Sequence, residues 1–369
     1  MRSRWSEWAA GETARVHRAG QWRAPRDLDA AGPEGKLAPE GHAVVSFASN
    51  DYLGLTQHPT VIAAAHAALD RWGSGSGSAR LIVGSRPVHT ELERALADWK
   101  RTAAAVLFPT GFAANLGVLT TFGGPGVLVC SDELNHASII DGCRLSRSEV
   151  TVYRHADPEH VDRLLREVPG RRAIVVTDTV FSMDGDVAPV DDLAAVCAHH
   201  DALLVLDEAH AVLGPDPALD GVDALRVGTL SKTLGSLGGF VAGARDFTDL
   251  LVNRARSYIF TTASTPADAA AALAALAVVR STEGDTLRDR LRAHVARVRP
   301  GHPSPIIPVV IGDEHATIAA SVALLEQGFF VPAIRPPTVA PGTSRLRVAL
   351  SAAHTEAQVD ALARALAEL

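Results

Sequence analysis

The stretch Leu203-Leu-Val-Leu-Asp207-Glu-Ala-His210 ends an apolar run on an acid, with a histidine three residues later. In an open parallel sheet, ligands bind beyond the carboxyl ends of the strands, so Asp207 stands where function gathers. One chemistry that wants such an acid is pyridoxal-phosphate catalysis. A carboxylate beside the pyridine nitrogen keeps that nitrogen protonated, and the ring can then accept electrons. Taken singly, Asp207 serves equally well as a cap for the next loop. The letters Asp-Glu-Ala-His also occur in nucleic-acid helicases, where the acid holds magnesium beside a phosphate loop. That use needs Gly-x-x-x-x-Gly-Lys-Ser/Thr upstream, and the sequence has none.

A reactive amine is the second requirement. Lys36, Lys100 and Lys232 are the only lysines, against abundant arginine. Of these, only Lys232 lies in an uncharged stretch rich in Gly, Ser and Thr, Gly228-Thr-Leu-Ser-Lys232-Thr-Leu-Gly235-Ser-Leu-Gly238-Gly239. An amine must be neutral to form an imine, and burial lowers a lysine's pKa; arginine does not lose its proton. Thr229 and Ser231 offer hydroxyls to phosphate oxygens. Pro109-Thr-Gly111-Phe112-Ala-Ala-Asn115 opens a helix, where free N–H groups and the dipole favour an anion. His136, in Ser131-Asp-Glu-Leu-Asn-His136, is placed to lie on a ring face or move a proton. Ser182, in Phe181-Ser-Met-Asp-Gly-Asp186, is placed to bond a ring oxygen. Each polar group follows an apolar strand, so loops on one sheet edge would gather them.

The elements that must position them are short apolar runs alternating with alanine-rich helical stretches. Strands are expected at Val127–Cys130, Val150–Tyr153, Ile174–Thr177, Leu203–Leu206, Phe240–Ala242 and Ile306–Val310, with helices such as Thr90–Trp99, Ser138–Leu145, Pro158–Val168 and Val190–His200 between. Strands without polar alternation indicate an α/β fold with a mostly parallel central sheet covered on both faces. Prolines and glycines at 25–42 read as a loop-rich joint after a short N-terminal arm. The division expected is 1–45 for the arm, 46–280 for a large domain and 281–369 for a smaller α+β domain.

A chain of 369 residues with 47% hydrophobic content can bury a large core. A net charge of -7 argues against a nucleic-acid or membrane-surface role. Cys130, Cys143 and Cys197 are too scattered for a disulfide framework or a zinc site, and suit a reducing cytoplasm. The N-terminus, Met1 to Gly20, has no apolar stretch of the secretory type, and Ala269–Val279 is too short to span a bilayer. Gly73–Ser78 does not follow a strand and is not a dinucleotide loop. His199-His200 has no third ligand nearby, so no metal is expected.

Taken together, the ordered motifs resemble those of the 8-amino-7-oxononanoate synthases, in the α-oxoamine synthase group of fold-type-I pyridoxal-phosphate enzymes. The likeness runs from about Asn50 to the C-terminus. It is carried by Asn50-Asp-Tyr-Leu-Gly-Leu55, the Gly/Ser loop ending at Arg80, Asn135–Ser138, Phe181–Asp186, Asp207–His210, Thr229–Lys232 and Ala333-Ile-Arg-Pro-Pro-Thr-Val339. The resemblance implies a pyridoxal 5'-phosphate Schiff base on Lys232, which later acts as base. It implies Asp207 at the pyridine nitrogen, His136 stacked on the ring, and Ser182 and His210 at its phenolic oxygen. Gly111, Phe112 and Thr229 would hold the phosphate, with Thr262 reaching it from a partner subunit. Arg347 would hold the amino-acid carboxylate, as a bidentate donor suits it; Asn50 and Thr338 would line the substrate site. The acyl-tail arginine corresponds to Arg23, with Arg18 and Arg26 as competitors. The implied reaction condenses L-alanine with a pimeloyl thioester, on coenzyme A or a carrier protein, in a cytoplasmic homodimer of biotin biosynthesis. A sister synthase using glycine or serine is the alternative.

Overall fold

The computed structural model describes residues 3–39 and 41–369; Met1, Arg2 and Glu40, which belong to the N-terminal arm and the 25–42 joint, lie outside them. The chain forms two compact units. One comprises Met1–Ala48, Pro308–Val348 and Ala361–Leu369; the other comprises Ser49–Ile307 and Ala349–Asp360.

In the smaller unit, Ser3 caps the exposed helix Arg4–Arg18, its hydroxyl accepting from Ser6 N at 3.2 Å. The 25–42 segment differs from the expected joint. It holds β1 (Leu28–Ala30), β2 (Glu34–Leu37) and the start of β3 (His42–Ser46), which pair antiparallel in sequence. Gly32 and Gly41 adopt positive φ, so the punctuating residues make tight turns between strands rather than a linker. Strand β3 also pairs in parallel with Phe329–Phe330. Strand Ser344–Ala349 carries the buried Arg345 and Arg347 and pairs with Ala333–Ile334.

The larger unit is built on a sheet of β4 (Ala104–Phe108), β5 (Leu128–Asp132), β6 (Glu149–Tyr153), β7 (Ala173–Asp178), β8 (Leu203–Asp207), β9 (Ala224–Thr229) and β10 (Gly239–Gly243). Their spatial order is β4-β10-β9-β8-β7-β5-β6, and β10 alone runs antiparallel to its neighbours. The strands are apolar on both sides because helices cover both faces. Ile174, Val176, Val205, Leu225 and Val227 point to one face, against Ala114, Val118, Leu119 and Ile139. Val175, Leu204 and Leu206 point to the other, against Val161, Leu165, Leu193 and Cys197. Strand β9 escaped the sequence reading because Arg226 interrupts its apolar run. Helix Thr282–Val298 belongs to this unit, with Leu291 and Val295 buried and His294 Nε2 donating to the His354 carbonyl at 3.0 Å. Among the described residues, no helix is long and apolar enough to cross a membrane.

Candidate active site

The pleat decides which acids meet. Side chains alternate along a strand, so Asp178 at the end of β7 and Asp207 at the end of β8 share the face of Val176 and Val205. The two acids are register partners on adjacent parallel strands. On that face lies helix Gly111–Phe122, whose Asn115 is one turn in from the N-terminus. Asn115 Nδ2 donates to Asp207 Oδ2 at 2.7 Å and lies 2.9 Å from Ser138 Oγ. Ala209 N donates to Asp207 Oδ1 at 2.9 Å. Asp207 is therefore a buried carboxylate held by neutral donors. Burial, and then the adjacent Asp207 charge, push the Asp178 carboxyl well above the usual range.

His136 stands at the start of helix Ala137–Ser146, after β5. Its backbone N–H donates to Asp178 Oδ2 at 2.8 Å, and its Nδ1 accepts from Ser138 N at 3.2 Å. The residue is open to solvent on one side, with the Phe112 ring edge-on at 6.4 Å. Enough protein surrounds the imidazole that desolvation lowers its pKa, against the pull of Asp207 and together with the push of Lys232. His136, Asp207 and Lys232 thus act on one another electrostatically.

Lys232 follows β9 and is half-buried; its Nζ lies 2.9 Å from His210 Nε2. His210 Nδ1 lies 2.6 Å from the hydroxyl of the fully buried Tyr52, which donates to Asn50 Oδ1 at 3.1 Å. Ser182 sits half-buried in the turn 181–186, closed by Gly185 N donating to the Phe181 carbonyl at 2.8 Å. Gly185 has φ 70°, and a Cβ there would lie 1.9 Å from the Ile306 carbonyl oxygen, so no side chain fits.

An anion cradle lies beside these groups. Thr110 caps the helix through Ala113 N at 3.0 Å, which leaves the Gly111 and Phe112 N–H groups without intrahelical acceptors. Strand β10 runs close beneath: a Cβ on Gly239 would lie 2.5 Å from Gly111 N. A Cβ on Gly111 would lie 3.3 Å from Thr229 Cβ, and Thr229 Oγ1 is 2.8 Å from Ser231 Oγ. Thr262 is exposed, beside Arg80, His89 and Pro109.

The remaining expected residues belong to the smaller unit. Arg23 is exposed and donates to the Pro336 carbonyl at 3.3 Å, Thr338 is exposed, and Arg347 is buried on its strand. Arg18 and Arg26 are exposed. His200 Nε2 bonds Asp162 Oδ1 at 2.8 Å, and burial pushes the Cys130 and Cys197 thiols up to about 12. The Gly73–Ser78 loop follows a helix, Pro59–Trp72, as the rejection of a dinucleotide loop requires.

Tyr52, Asn115, Asp178 and His155 carried no role in the sequence reading. Asn115 had a signal: it lies four residues after Gly111, on the same helix face. Tyr52 had none beyond its neighbour Asn50. A cavity of about 600 Å³ is lined by Lys100, Glu208, Arg226 and Arg280, together with Thr229 of the anion cradle. Asp207, His136 and Lys232 do not line it.

The chain is similar to known proteins over most of its length. The model of the family "Aminotransferase class I and II" matches residues 42–366. An 8-amino-7-oxononanoate synthase of Anaeromyxobacter dehalogenans is 51% identical over 362 residues, covering 93% of this chain and 91% of its own. A serine palmitoyltransferase from S. paucimobilis, solved with a bound PLP–myriocin aldimine, superposes with TM-score 0.91 at 30% identity, over 99% of this chain and 98% of its own. An 8-amino-7-oxononanoate synthase from Francisella tularensis superposes with TM-score 0.73 at 25% identity, over 88% of this chain and 97% of its own. The chain therefore belongs to the class I and II aminotransferase family, and within it to the 8-amino-7-oxononanoate synthases and their fold-type-I relatives.

Proposed function

We propose that this chain condenses L-alanine with a pimeloyl thioester to give 8-amino-7-oxononanoate, carbon dioxide and a free thiol, with pyridoxal 5'-phosphate as cofactor, in biotin biosynthesis. The observation that carries the reading is the convergence, from separate strand ends, of an amine (Lys232), a carboxylate held by neutral donors (Asp207), an imidazole (His136) and a phosphate cradle (Gly111, Phe112, Thr229). The donor set fits the cofactor at each of its polar points. When bound, pyridoxal phosphate supplies an aldehyde that takes up amines and a protonated ring that accepts the electron pair released at the alanine Cα.

Lys232 Nζ would hold the aldehyde carbon covalently and, once displaced by alanine, would move the Cα proton. Asp207 would hold the proton on the pyridine nitrogen; the Asn115 and Ala209 donors fix its two oxygens while leaving its charge uncancelled. His136 would lie against the ring, and Ser182 and His210 would hold the phenolic oxygen. Gly111 and Phe112 N–H groups with the Thr229 hydroxyl would bind phosphate. Arg347 would take the alanine carboxylate, Asn50 and Thr338 would line the substrate site, and Arg23 would meet the acyl-chain carboxylate. A carbon–carbon bond forms between the alanine Cα and the acyl carbonyl carbon as the thiolate leaves, and the alanine carboxyl departs as carbon dioxide, a proton taking its place at Cα.

The assembly proposed is a cytoplasmic homodimer with Thr262 reaching the partner's phosphate. Leu81, Ile82 and Val83 are 50%, 73% and 67% exposed on one segment, an apolar patch that supports a partner surface. The three cysteines are buried free thiols, which suits a reducing compartment.

The test is mass-spectrometric identification of the product from alanine, glycine or serine with pimeloyl-CoA or its carrier-protein equivalent. Exclusive turnover of serine with a long-chain thioester would replace the reading with that of a sister synthase, which the serine palmitoyltransferase likeness keeps in the comparison. The Lys232→Ala variant is expected to lose both the yellow absorbance of lysine-bound cofactor and all activity; full activity would overturn the mechanism.

A further inference from the structure

His136 and Asp207 are joined through two buried side chains. Asn115 Nδ2 lies 2.7 Å from Asp207 Oδ2 and 2.9 Å from Ser138 Oγ, and Ser138 Oγ lies 2.7 Å from His136 Nδ1. Asn115 and Ser138 are each 1% exposed, so their hydrogens must find acceptors inside the protein. The order of hydrogens is set from the Asp207 end. A carboxylate only accepts, so the Asn115 amide presents its NH2; turning the amide over would set two oxygens 2.7 Å apart. One amide hydrogen goes to Asp207 and the other to Ser138 Oγ. Among the described residues, the Ser138 hydroxyl hydrogen then has His136 Nδ1 as its acceptor. The backbone fixes the same end of the ring independently: Ser138 N, which can only donate, lies 3.2 Å from Nδ1. With two donors aimed at it, Nδ1 has no room for a hydrogen of its own. The neutral ring therefore carries its hydrogen on Nε2, which bonds no described residue.

We propose that Ser138, oriented by Asn115, is a positioning residue that fixes His136 as a neutral Nε2–H imidazole, a hydrogen donor to the site and not a base. The ring's one basic lone pair is already held by Ser138. Taking up a proton there would break both bonds to Ser138 and leave a buried hydroxyl hydrogen without an acceptor. Burial and then, against the pull of Asp207, the nearby Lys232 disfavour the imidazolium as well. Movement of the alanine Cα proton is left to Lys232. The inference rests on the reading of His136 as the group against the ring, and it states which hydrogen that group brings there.

The experiment uses the full-length chain labelled with 15N-histidine, with the His136 resonances assigned by their disappearance in His136→Gln. Near neutral pH, Nε2 of the wild type is expected in the N–H range and Nδ1 in the range of an unprotonated acceptor. Ser138→Ala removes the hydroxyl and keeps the backbone N–H, so the neutral ring loses one of its two bonds and His136 should titrate at higher pH. Ser138→Thr keeps a hydroxyl and should keep the wild-type titration. The charged groups around His136 are the same in both variants: Asp207, Lys232, and Asp178, which accepts the His136 backbone N–H. A change in titration confined to alanine is therefore the work of the hydroxyl, not of charge or of packing at position 138. Wild-type His136 with hydrogen on Nδ1, or charged near neutral pH, overturns the inference. So does Ser138→Ala titrating at or below the wild-type pH, or Ser138→Thr following alanine. The wild-type spectrum needs no variant and decides even where a substitution disturbs folding. Turnover is not measured, so a chain that forms no 8-amino-7-oxononanoate would end the proposed reaction and leave this result untouched.

Discussion

The edge of the large sheet has two faces, and it treats its acids in opposite ways on each. On the face of helix Gly111–Phe122, Asp207 is held by an amide and a backbone N–H, and Asp178 by the His136 N–H. On the other face, the acids are paired with cations. Glu208 is 2.6 Å from both Arg226 Nε and Lys100 Nζ, the latter an ion pair without hydrogen-bond alignment, and Arg226 reaches Asp216 at 2.8 Å. Asp132 and Asp186 share His155. Neighbours in sequence, Asp207 and Glu208 are separated by the pleat into these two regimes. A cation-paired carboxylate is spent on structure. One held by neutral donors keeps a charge available for a ligand, and here that charge faces the site where a pyridinium is proposed.

Breaking the first regime should have the largest effect. Asp207→Asn keeps the shape and removes the charge, so turnover should fall at least 1000-fold, about 4 kcal/mol of barrier. Stability should change by no more than about 2 kcal/mol, because a buried charge is removed while one of the donors to its two oxygens meets an amide NH2 instead of an acceptor. Steady-state kinetics and thermal melting measure both. Near-normal turnover would remove Asp207 from the site.

Breaking the second regime should reverse the pattern. Glu208→Gln leaves the buried Lys100 and Arg226 short of a countercharge, and losing one partner of a buried pair costs roughly 3 kcal/mol. Denaturant unfolding should show that loss, while turnover per folded molecule stays at the wild-type level. A stable Glu208→Gln protein with impaired turnover would mean that the two faces are not functionally distinct.

The same contrast explains what the sequence disclosed. Asp207, Lys232 and His136 were legible because each follows an apolar run, and strand ends are where a parallel sheet binds ligands. The cation-paired face was not, because its members lie far apart in the chain: Lys100 and Glu208 meet only once the sheet is assembled. Arg226 even concealed its own strand, since a charge inside an apolar run reads as a break unless its partners are known. The turns at Gly32 and Gly41 misread as a joint for a related reason: glycine and proline mark both linkers and tight hairpins, and only pairing separates them. Tyr52 lies outside any periodic pattern, and its place beside His210 depends on contacts across more than 150 positions.

The mildest change should come from pH, through His155 on the cation-paired face. His155 follows β6 and reaches Asp132 Oδ1 with Nδ1 at 2.9 Å and Asp186 Oδ2 with Nε2 at 2.6 Å. Both carboxylates accept, so both ring nitrogens must donate, and only the imidazolium does so. The hydrogen bonds to Asp132 and Asp186 accordingly raise its pKa from 6.5 to about 10. A raised folded-state pKa contributes stability that is complete below the unfolded value and is lost as pH climbs through the folded one. The contribution should therefore be full below pH 6.5 and fade toward pH 10. Asp132 begins the loop that carries His136 and Asp186 ends the turn that carries Ser182, so the loss should loosen both. His155→Gln, which cannot be charged, should melt below the wild type at pH 6 and converge with it by about pH 10. A melting difference that stays constant across that range would show that His155 acts through packing against Phe181, whose ring centroid is 4.3 Å away, and not through charge.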